Sequence, residues 1–540
     1  MEQDMRFSEY LTAFFKEQGV KHIFGVPSGD WMSYMEAMEK GDVEYVLVAN
    51  EASGGFMATV YGWLTGVPGV CYGTTGPGAT NLSTGVGSAL LDRAPLIALT
   101  TEPPNHMMGR TTQMAIDHQT LFKPLTKKTI RLQADQAAEA LADMFETASA
   151  EVPGPVHIGL PEGLGDMRIT GALPKVSKPA MPSDPEQSAL IDMERLVKQS
   201  RKPLLAVGLT AIRFDLGEKI VKLAEQFDVP VVLTPMAKGL IDEDHRSYAG
   251  VLFHALSDVV AQTNVQADLI IAVGYDPVEF NYESWMPVVP LIHIDTVACD
   301  IDRKTYAKVC DVVGNPVCAL KRLSALGPMS FGWDMQALRE RREAMFARFE
   351  PKAGVFGPLS VLKILRELLP DEGIMTCDVG AHTHLIGQAW RTRHPFGQLM
   401  TNGWSSMGFG IPAALGAKLA RPEVPVVCIT GDGGYMMMAG EMATARRIGM
   451  NIVFIVLSDT KLELIRLKQK KRGKITEGTT LSDEQPPVPN NMFGVPVLGA
   501  DTADSFRIAL EQAFAAEGPV IVHAIVDQSE YEPLILRKHK

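Results

Sequence analysis

The stretch that most constrains this chain is Gly431-Asp432-Gly433-Gly434-Tyr435, read together with Asp459. An apolar run, Val424-Pro-Val-Val-Cys-Ile-Thr430, precedes it and predicts a buried strand. Met436 to Arg447 has helical composition. The run Ile452-Val-Phe-Ile-Val-Leu457 predicts a second strand, ending in Ser458-Asp459-Thr460. The pattern is strand, tight glycine turn, helix, strand, with an Asp at the C-terminal end of each strand. The two Asp residues lie 27 positions apart, which suits one helix joining two parallel strands. Ligands bind at that edge of an open parallel sheet. Two carboxylates with nearby carbonyls suit a hard dication such as Mg²⁺. Glycines let the backbone approach a phosphate, and the following helix N-terminus favours an anion. Together these features ask for a metal holding a diphosphate. A Gly-Asp-Gly in an ordinary turn is the competing reading, and the placement of the second Asp weighs against it.

Composition narrows the class. A length of 540 residues predicts about three domains. A net charge of −12 gives no electrostatic support to a nucleic-acid role. The six Cys contain no C-x-x-C pair, which fits reduced thiols in a cytoplasmic protein. The N-terminus lacks an apolar core, so no signal peptide is expected. No run of 18 apolar residues occurs, so no membrane span is expected.

Strand and helix signals alternate along the chain, which predicts three doubly wound α/β domains over residues 1–172, 188–330 and 355–540. In the first, short strands are expected at His22–Val26, Tyr45–Val48, Gly69–Gly73 and Pro95–Thr100, with helices over Phe7–Gly19 and Gly54–Leu64. In the second, the runs Pro203–Val207, Val229–Leu233, Leu269–Val273 and Leu291–Ile294 read as strands. A Pro- and Lys-containing stretch from Leu173 to Gln187 reads as a linker. No sequence repeat relates the first and third units.

The ordered motifs resemble the thiamine-diphosphate enzymes of the acetolactate synthase and pyruvate decarboxylase superfamily. The Gly431-Asp432-Gly433 turn with Ser458-Asp459 is similar to that family's metal signature, with Asp459 where Asn is common. The stretch Glu51-Ala-Ser-Gly-Gly-Phe-Met-Ala-Thr-Val-Tyr-Gly62 resembles the family's activating-glutamate motif, with Asn50 where His is usual. Gly73-Thr-Thr-Gly-Pro-Gly-Ala-Thr-Asn81, Asp378-Val-Gly-Ala-His382 and Asn402-Gly-Trp-Ser-Ser-Met407-Gly-Phe-Gly resemble further turns of the family. The resemblance implies pyrimidine-binding, central and diphosphate-binding domains. It makes Glu51 the catalytic residue, whose carboxyl group at the pyrimidine N1′ drives tautomerisation of the cofactor. Read without the family, Glu51 is equally a helix-capping acid. The implied cofactor contacts are Glu51, Gly76, Asn81, Gly380, His382, Ser405, Met407, Gly431, Gly433, Gly434 and Tyr435. Asp432, Asp459 and the carbonyl of Lys461 are the implied Mg²⁺ ligands. Met407 is then an apolar wedge under the bent cofactor.

Pocket residues divide the superfamily by reaction. Decarboxylase types carry a Pro-Gly-Asp turn, a His-His pair and a Glu six residues past the metal Asn. Here the turn reads Pro27-Ser28-Gly29-Asp30, His106 stands alone, and Ile465 lies six past Asp459. Without those proton donors an acyl carbanion is free to attack a second carbonyl. Gly274-Tyr-Asp-Pro-Val-Glu279 with His293-Ile-Asp295, and the segment Asp117 to Lys127, resemble catabolic acetolactate synthases. No G-x-G-x-x-G follows a strand, so FAD is not expected. The expected activity is decarboxylation of a 2-oxoacid, with pyruvate the leading donor, and joining of the acyl unit to a second oxoacid. A non-ligating decarboxylase that releases an aldehyde is the alternative, and an inactive cofactor-binding subunit a third. Ser28, Gly29, Thr74, Gln113, His118, Ile465 and Gln469 are the candidate substrate contacts. The basic segment Arg466–Arg472 reads either as a solvated helix face or as a mouth for an anionic oxoacid. A homodimer at least, with a homotetramer expected, would unite Glu51 with the metal turn. The helices after Glu51 and after Gly434 are the expected apolar interface faces.

Overall fold

The computed structural model describes residues 3–252, 254–279 and 285–535. Three mainly parallel sheets organise these residues. The first contains β1 (His22–Gly25), β2 (Glu44–Leu47), β3 (Gly69–Gly73), β4 (Leu96–Glu102), β5 (Lys128–Arg131) and β6 (Pro155–Pro161), in the order β2-β1-β3-β4-β6-β5. The second contains β7 (Pro203–Val207), β8 (Val231–Leu233), β9 (Tyr248–Val251), β10 (Leu269–Val273), β11 (Pro290–Asp295) and β12 (Lys308–Val313), in the order β9-β8-β7-β10-β11-β12. That is the common dinucleotide-fold order. The third contains β13 (Ile374–Cys377), β14 (Gln398–Leu399), β15 (Val426–Gly431), β16 (Ile452–Ser458), β17 (Val495–Ala500) and β18 (Val520–Ile525), in the order β14-β13-β15-β16-β18-β17. Asn491–Met492 adds an antiparallel seventh strand to it. The first and third sheets therefore share one strand order, a repeat carried by topology and not by sequence.

Central strands such as β7, β10 and β16 are buried along their whole length. Helices cover both faces of such a strand, so its sequence runs apolar without alternation. Among the described residues no helix is long and apolar enough to cross a membrane.

Three helices join the first and third units within the chain. They are α1 (Glu51–Thr65), α2 (Pro77–Leu91) and α3 (Gly410–Ala420). Residues 51–64 of α1 are all buried, because glycines let its neighbours close in. A Cβ on Gly55 would stand 2.7 Å from the Cα of Gly85 in α2, and one on Gly416 would stand 2.6 Å from the Met57 carbonyl. The expectation that the helix after Glu51 offers an outer interface is thereby corrected, since the chain buries that helix itself. The helix expected over Met436–Arg447 is also corrected. It splits into α4 (Asp432–Met438) and α5 (Glu441–Ile448). The break falls where Gly440 meets Ala49, whose Cβ would lie 2.9 Å from a Cβ at Gly440. Met436 and Met437, on α4, are each 57% exposed.

Candidate active site

Strands β15 and β16 run side by side, with Gly431 opposite Leu457, so Asp432 and Asp459 emerge at one sheet edge. Asp432 Oδ2 accepts from the Thr460 amide at 2.7 Å and the Asp459 amide at 3.2 Å, and its Oδ1 accepts from the Gly433 amide at 2.8 Å. Thr460 sits in the left-handed region, at φ 64°. That turn brings the Lys461 amide within 3.0 Å of Asp459 Oδ1. Burial raises the pKa of both carboxyls. Asp459 is pushed up to about 7, by burial first and then by the Asp432 charge. Two carboxylates that repel each other at a sheet edge are a donor set a dication could satisfy.

A pocket opens beside this pair. It is lined by residues 379–382, Met407, residues 431–434, Leu457, Asp459, residues 461–465 and Tyr531. Asp378 is fully buried behind it and ties three segments together. Its carboxylate accepts from the Val379 amide at 2.6 Å, the Gly408 amide at 2.9 Å and the Thr430 hydroxyl at 3.2 Å. Burial pushes the Asp378 carboxyl up to about 6. A Cβ on Gly434 would fall 2.6 Å from Asp378 Oδ2, so this buried acid dictates the glycine. His382 is buried in the wall, and burial draws its pKa down to about 4. Its Nε2 has no hydrogen-bond partner among the described residues. A buried orphan of this kind costs free energy until a ligand satisfies it, and a phosphate oxygen would do so. The glycine wall, the paired Asp residues and the orphan nitrogen together fit a metal-bound diphosphate.

Glu51 lies on the first unit. Asn50 Oδ1 accepts from the Ala52 amide at 2.8 Å and so caps α1, leaving Glu51 in the helix's first turn. Glu51 is 7% exposed, and its Oε2 accepts from Asn81 Nδ2 at 3.0 Å. The strand end that presents it is held by Glu441 of α5. Glu441 Oε1 accepts from the Ala49 amide at 2.9 Å and the Asn50 amide at 3.3 Å. No described residue of the first unit lines the pocket at Asp432. Glu51 is thus not among the residues that line the pocket at Asp432.

The remaining sequence-predicted positions scatter. Gly380, Ile465 and Lys461 line the pocket, whereas Tyr435 and Ser405 do not. Tyr435 is buried behind it, and Ser405 is exposed with φ 54°. Ser28 pairs its hydroxyl with that of Tyr72 at 2.9 Å, Gly29 and Gln113 are exposed, and Thr74 is half-buried near Gly78. His118 is buried, with both ring nitrogens bonded inside the protein. Gln469 donates to the Glu477 carbonyl and stays outside the pocket lining.

The basic segment does not line the pocket either. Arg466 forms a paired contact with Glu463 at 2.6 Å, and Lys470 pairs with Glu532. Sequence reasoning passed over Glu441, the Glu463–Arg466 pair and Asp92. Asp92 is buried and holds the Thr401 hydroxyl and the Asn402 and Gly403 amides of the loop that carries Met407. The one available signal was an acid inside an otherwise apolar or small-residue stretch.

Three family matches cover the chain in order. Residues 5–121 match the N-terminal TPP binding domain of thiamine pyrophosphate enzymes, 191–323 their central domain and 378–524 their C-terminal TPP binding domain. The acetolactate synthase of Bacillus subtilis (strain 168) is 28% identical over 543 residues, covering 97% of this chain and 94% of that protein. The acetolactate synthase large subunit of Parasynechococcus marenigrum (strain WH8102) is 30% identical over 487 residues, covering 85% and 77%. The catabolic acetolactate synthase of Raoultella terrigena is 25% identical over 542 residues, covering 98% and 96%. Three domain matches in the family's order, and near full-length similarity to several acetolactate synthases, show that the chain belongs to the thiamine-pyrophosphate-dependent enzymes, on their acetolactate-synthase-like side.

Proposed function

We propose that the protein decarboxylates a 2-oxoacid, with pyruvate as donor, and joins the acyl unit to a second 2-oxoacid. Bound thiamine diphosphate supplies the electron sink that makes the acyl carbon nucleophilic as CO₂ leaves. Asp432, Asp459 and the Lys461 carbonyl would hold Mg²⁺, and the glycine wall with His382 would hold the diphosphate. Glu51, steadied by Asn81, would exchange a proton with the pyrimidine. Met407, which lines the pocket, would support the cofactor from its apolar side.

The observation that carries the ligating outcome is the wall beyond the metal. Leu462, Leu464 and Ile465 face the pocket there, and the neighbouring Glu463 is committed to Arg466. Among the described residues, that wall offers no unpaired acid beyond the metal pair to quench a carbanion. Incubation of the loaded enzyme with pyruvate is expected to yield acetolactate in excess over acetaldehyde. Acetaldehyde as the main product would establish the non-ligating reading instead.

The central unit supports a flavin-free enzyme. A dinucleotide would lie where the strand order reverses, between the C-terminal ends of β7 and β10. There Glu279 is buried, and its Oε1 accepts from the Leu209 amide at 3.1 Å. A Cβ on Gly208 would lie 2.4 Å from the Gly274 carbonyl and 2.9 Å from Glu279 Oε1. The chain's own carboxyl group takes the space a pyrophosphate would need. Burial pushes the Glu279 carboxyl up to about 8. The folded state thus holds a proton that the unfolded state releases at lower pH, so stability falls as pH rises through the range up to about 8. Glu279→Gln is expected to flatten that slope. Urea melts of both proteins at pH 6 and pH 8.5 check it, and an unchanged slope would disprove it.

The working unit proposed is at least a homodimer. Its basis is that no described residue of the first unit, which carries Glu51, lines the metal pocket of the same chain, and exposed Met436 and Met437 offer an apolar contact on the metal helix.

A further inference from the structure

A hydrogen-bond chain with a single direction runs from Gly76 into the first sheet. The Gly76 amide donates to His118 Nε2 at 3.1 Å. The neutral ring must then carry its proton on Nδ1, which lies 2.8 Å from the Thr100 hydroxyl. Thr100 in turn donates to His157 Nε2 at 2.7 Å, and His157 Nδ1 donates to Thr129 at 2.7 Å. Thr129 donates to Gln119 Oε1 at 2.8 Å, and Gln119 Nε2 donates to Glu102 at 2.6 Å. Arg131 closes the chain by pairing with Glu102. Thr100, His157 and Thr129 stand on β4, β6 and β5, which are neighbours. Each ring and hydroxyl has one proton to give and one to accept, so the first donor fixes every later one.

Glu102, His118 and His157 lie close enough to suggest a metal cluster. Their donor atoms are already spent on these bonds, so the cluster is a wire of fixed polarity and not a metal site. Burial lowers the pKa of both imidazoles, His118 to about 4, which keeps the chain intact near neutral pH.

What the chain holds is a turn that no other residue type fits. Gly76 has φ 68°, and a Cβ there would stand 2.4 Å from the Met114 carbonyl. The turn is gripped by Met114 on one side and His118 on the other. Two residues on, a Cβ at Gly78 would lie 3.3 Å from Glu51 Oε1. The turn is therefore the floor against which the Glu51 carboxylate rests.

We propose that His118 is a positioning residue, which fixes the 74–78 turn through Gly76 and thereby aims Glu51. The proposal rests on the reading of Glu51 as the group that activates the cofactor. Its test uses the full-length protein loaded with thiamine diphosphate and Mg²⁺. In His118→Phe, amide exchange in the peptide spanning Gly76 should speed up by about tenfold, the worth of one buried hydrogen bond. C2–H exchange of the bound cofactor should slow by about tenfold, and kcat should fall with KM unchanged. Cofactor affinity should stay within about threefold of the parent. Thr100→Val cuts the chain one step further from the turn and should move both exchange rates the same way by less. If His118→Phe fails to fold, Thr100→Val decides alone.

Glu51→Gln is measured beside them. It should slow C2–H exchange while leaving the Gly76 amide protected. Normal C2–H exchange in Glu51→Gln would sink the underlying reading. Slow exchange in Glu51→Gln, with normal C2–H exchange in His118→Phe or, should that variant not fold, in Thr100→Val, would overturn the positioning role alone.

Discussion

Asp432→Ala is expected to lose Mg²⁺ and thiamine diphosphate together, with an affinity drop of at least about a hundredfold. The carboxylate performs two tasks at once. It accepts from the amides of Gly433, Asp459 and Thr460, and so shapes the turn that returns Lys461 to the edge. It also supplies one of the two charges a dication would meet. Truncation leaves three amides without their acceptor, each at about 1–3 kcal/mol where water cannot reach. A hundredfold weakening corresponds to about 2.7 kcal/mol, so the loss of shape alone could account for it. Asp432→Asn separates the two tasks, because it keeps an acceptor and removes the charge. Its affinity should fall between those of the parent and the Ala variant. Calorimetric titration of cofactor in the presence of Mg²⁺ measures all three. Parental affinity in Asp432→Ala would remove this residue from the metal site.

Much of this architecture was legible because parallel strands buried on both faces leave unbroken apolar runs. Pro203–Val207, Leu269–Val273 and Gly69–Gly73 were read to the residue. Strands β5 and β6 were missed for the opposite reason. Lys128-Thr-Ile-Arg131 is a half-exposed edge strand, and Pro155–Pro161 carries Pro, Gly and a buried His that interrupt the apolar signal. His157 is tolerated there only because Thr100 and Thr129 satisfy both its nitrogens, a fact of three neighbouring strands. The site divides in the same way. Asp432, Asp459 and the glycines follow from local spacing. Glu441 and Asp92 act on backbone some 310 to 392 positions away, and no local pattern carries such a contact. The similarity of the Asp117–Lys127 segment to one in the family suggests His118 as a substrate contact. Its burial and its bond to Gly76 instead set it behind the turn.

Glu51→Gln is expected to keep the fold and the cofactor but slow C2–H exchange by roughly 10²–10⁴, the usual worth of one general acid–base contact. An amide still accepts from Asn81, so the side chain stays in place while its proton chemistry is lost. Mixing it with Asp432→Ala tests how the two halves meet. Glu51 is held by Asn81 and the 74–78 turn, and among the described residues the third unit alone lines the pocket at Asp432. If each site combines the first unit of one chain with the third unit of its partner, a two-fold dimer has two such sites. A hybrid of the two variants then carries one site with both defects and one with neither. Random pairing makes half the dimers hybrid, and half of their sites are intact. Chains unfolded and refolded together should therefore recover roughly a quarter of parental turnover, although each variant alone is inactive. If both halves of a site came from the same chain, every site in every dimer would keep one defect. Mass spectrometry of the refolded mixture establishes that hybrids are present, and turnover that stays at the single-variant level despite them would exclude a shared site.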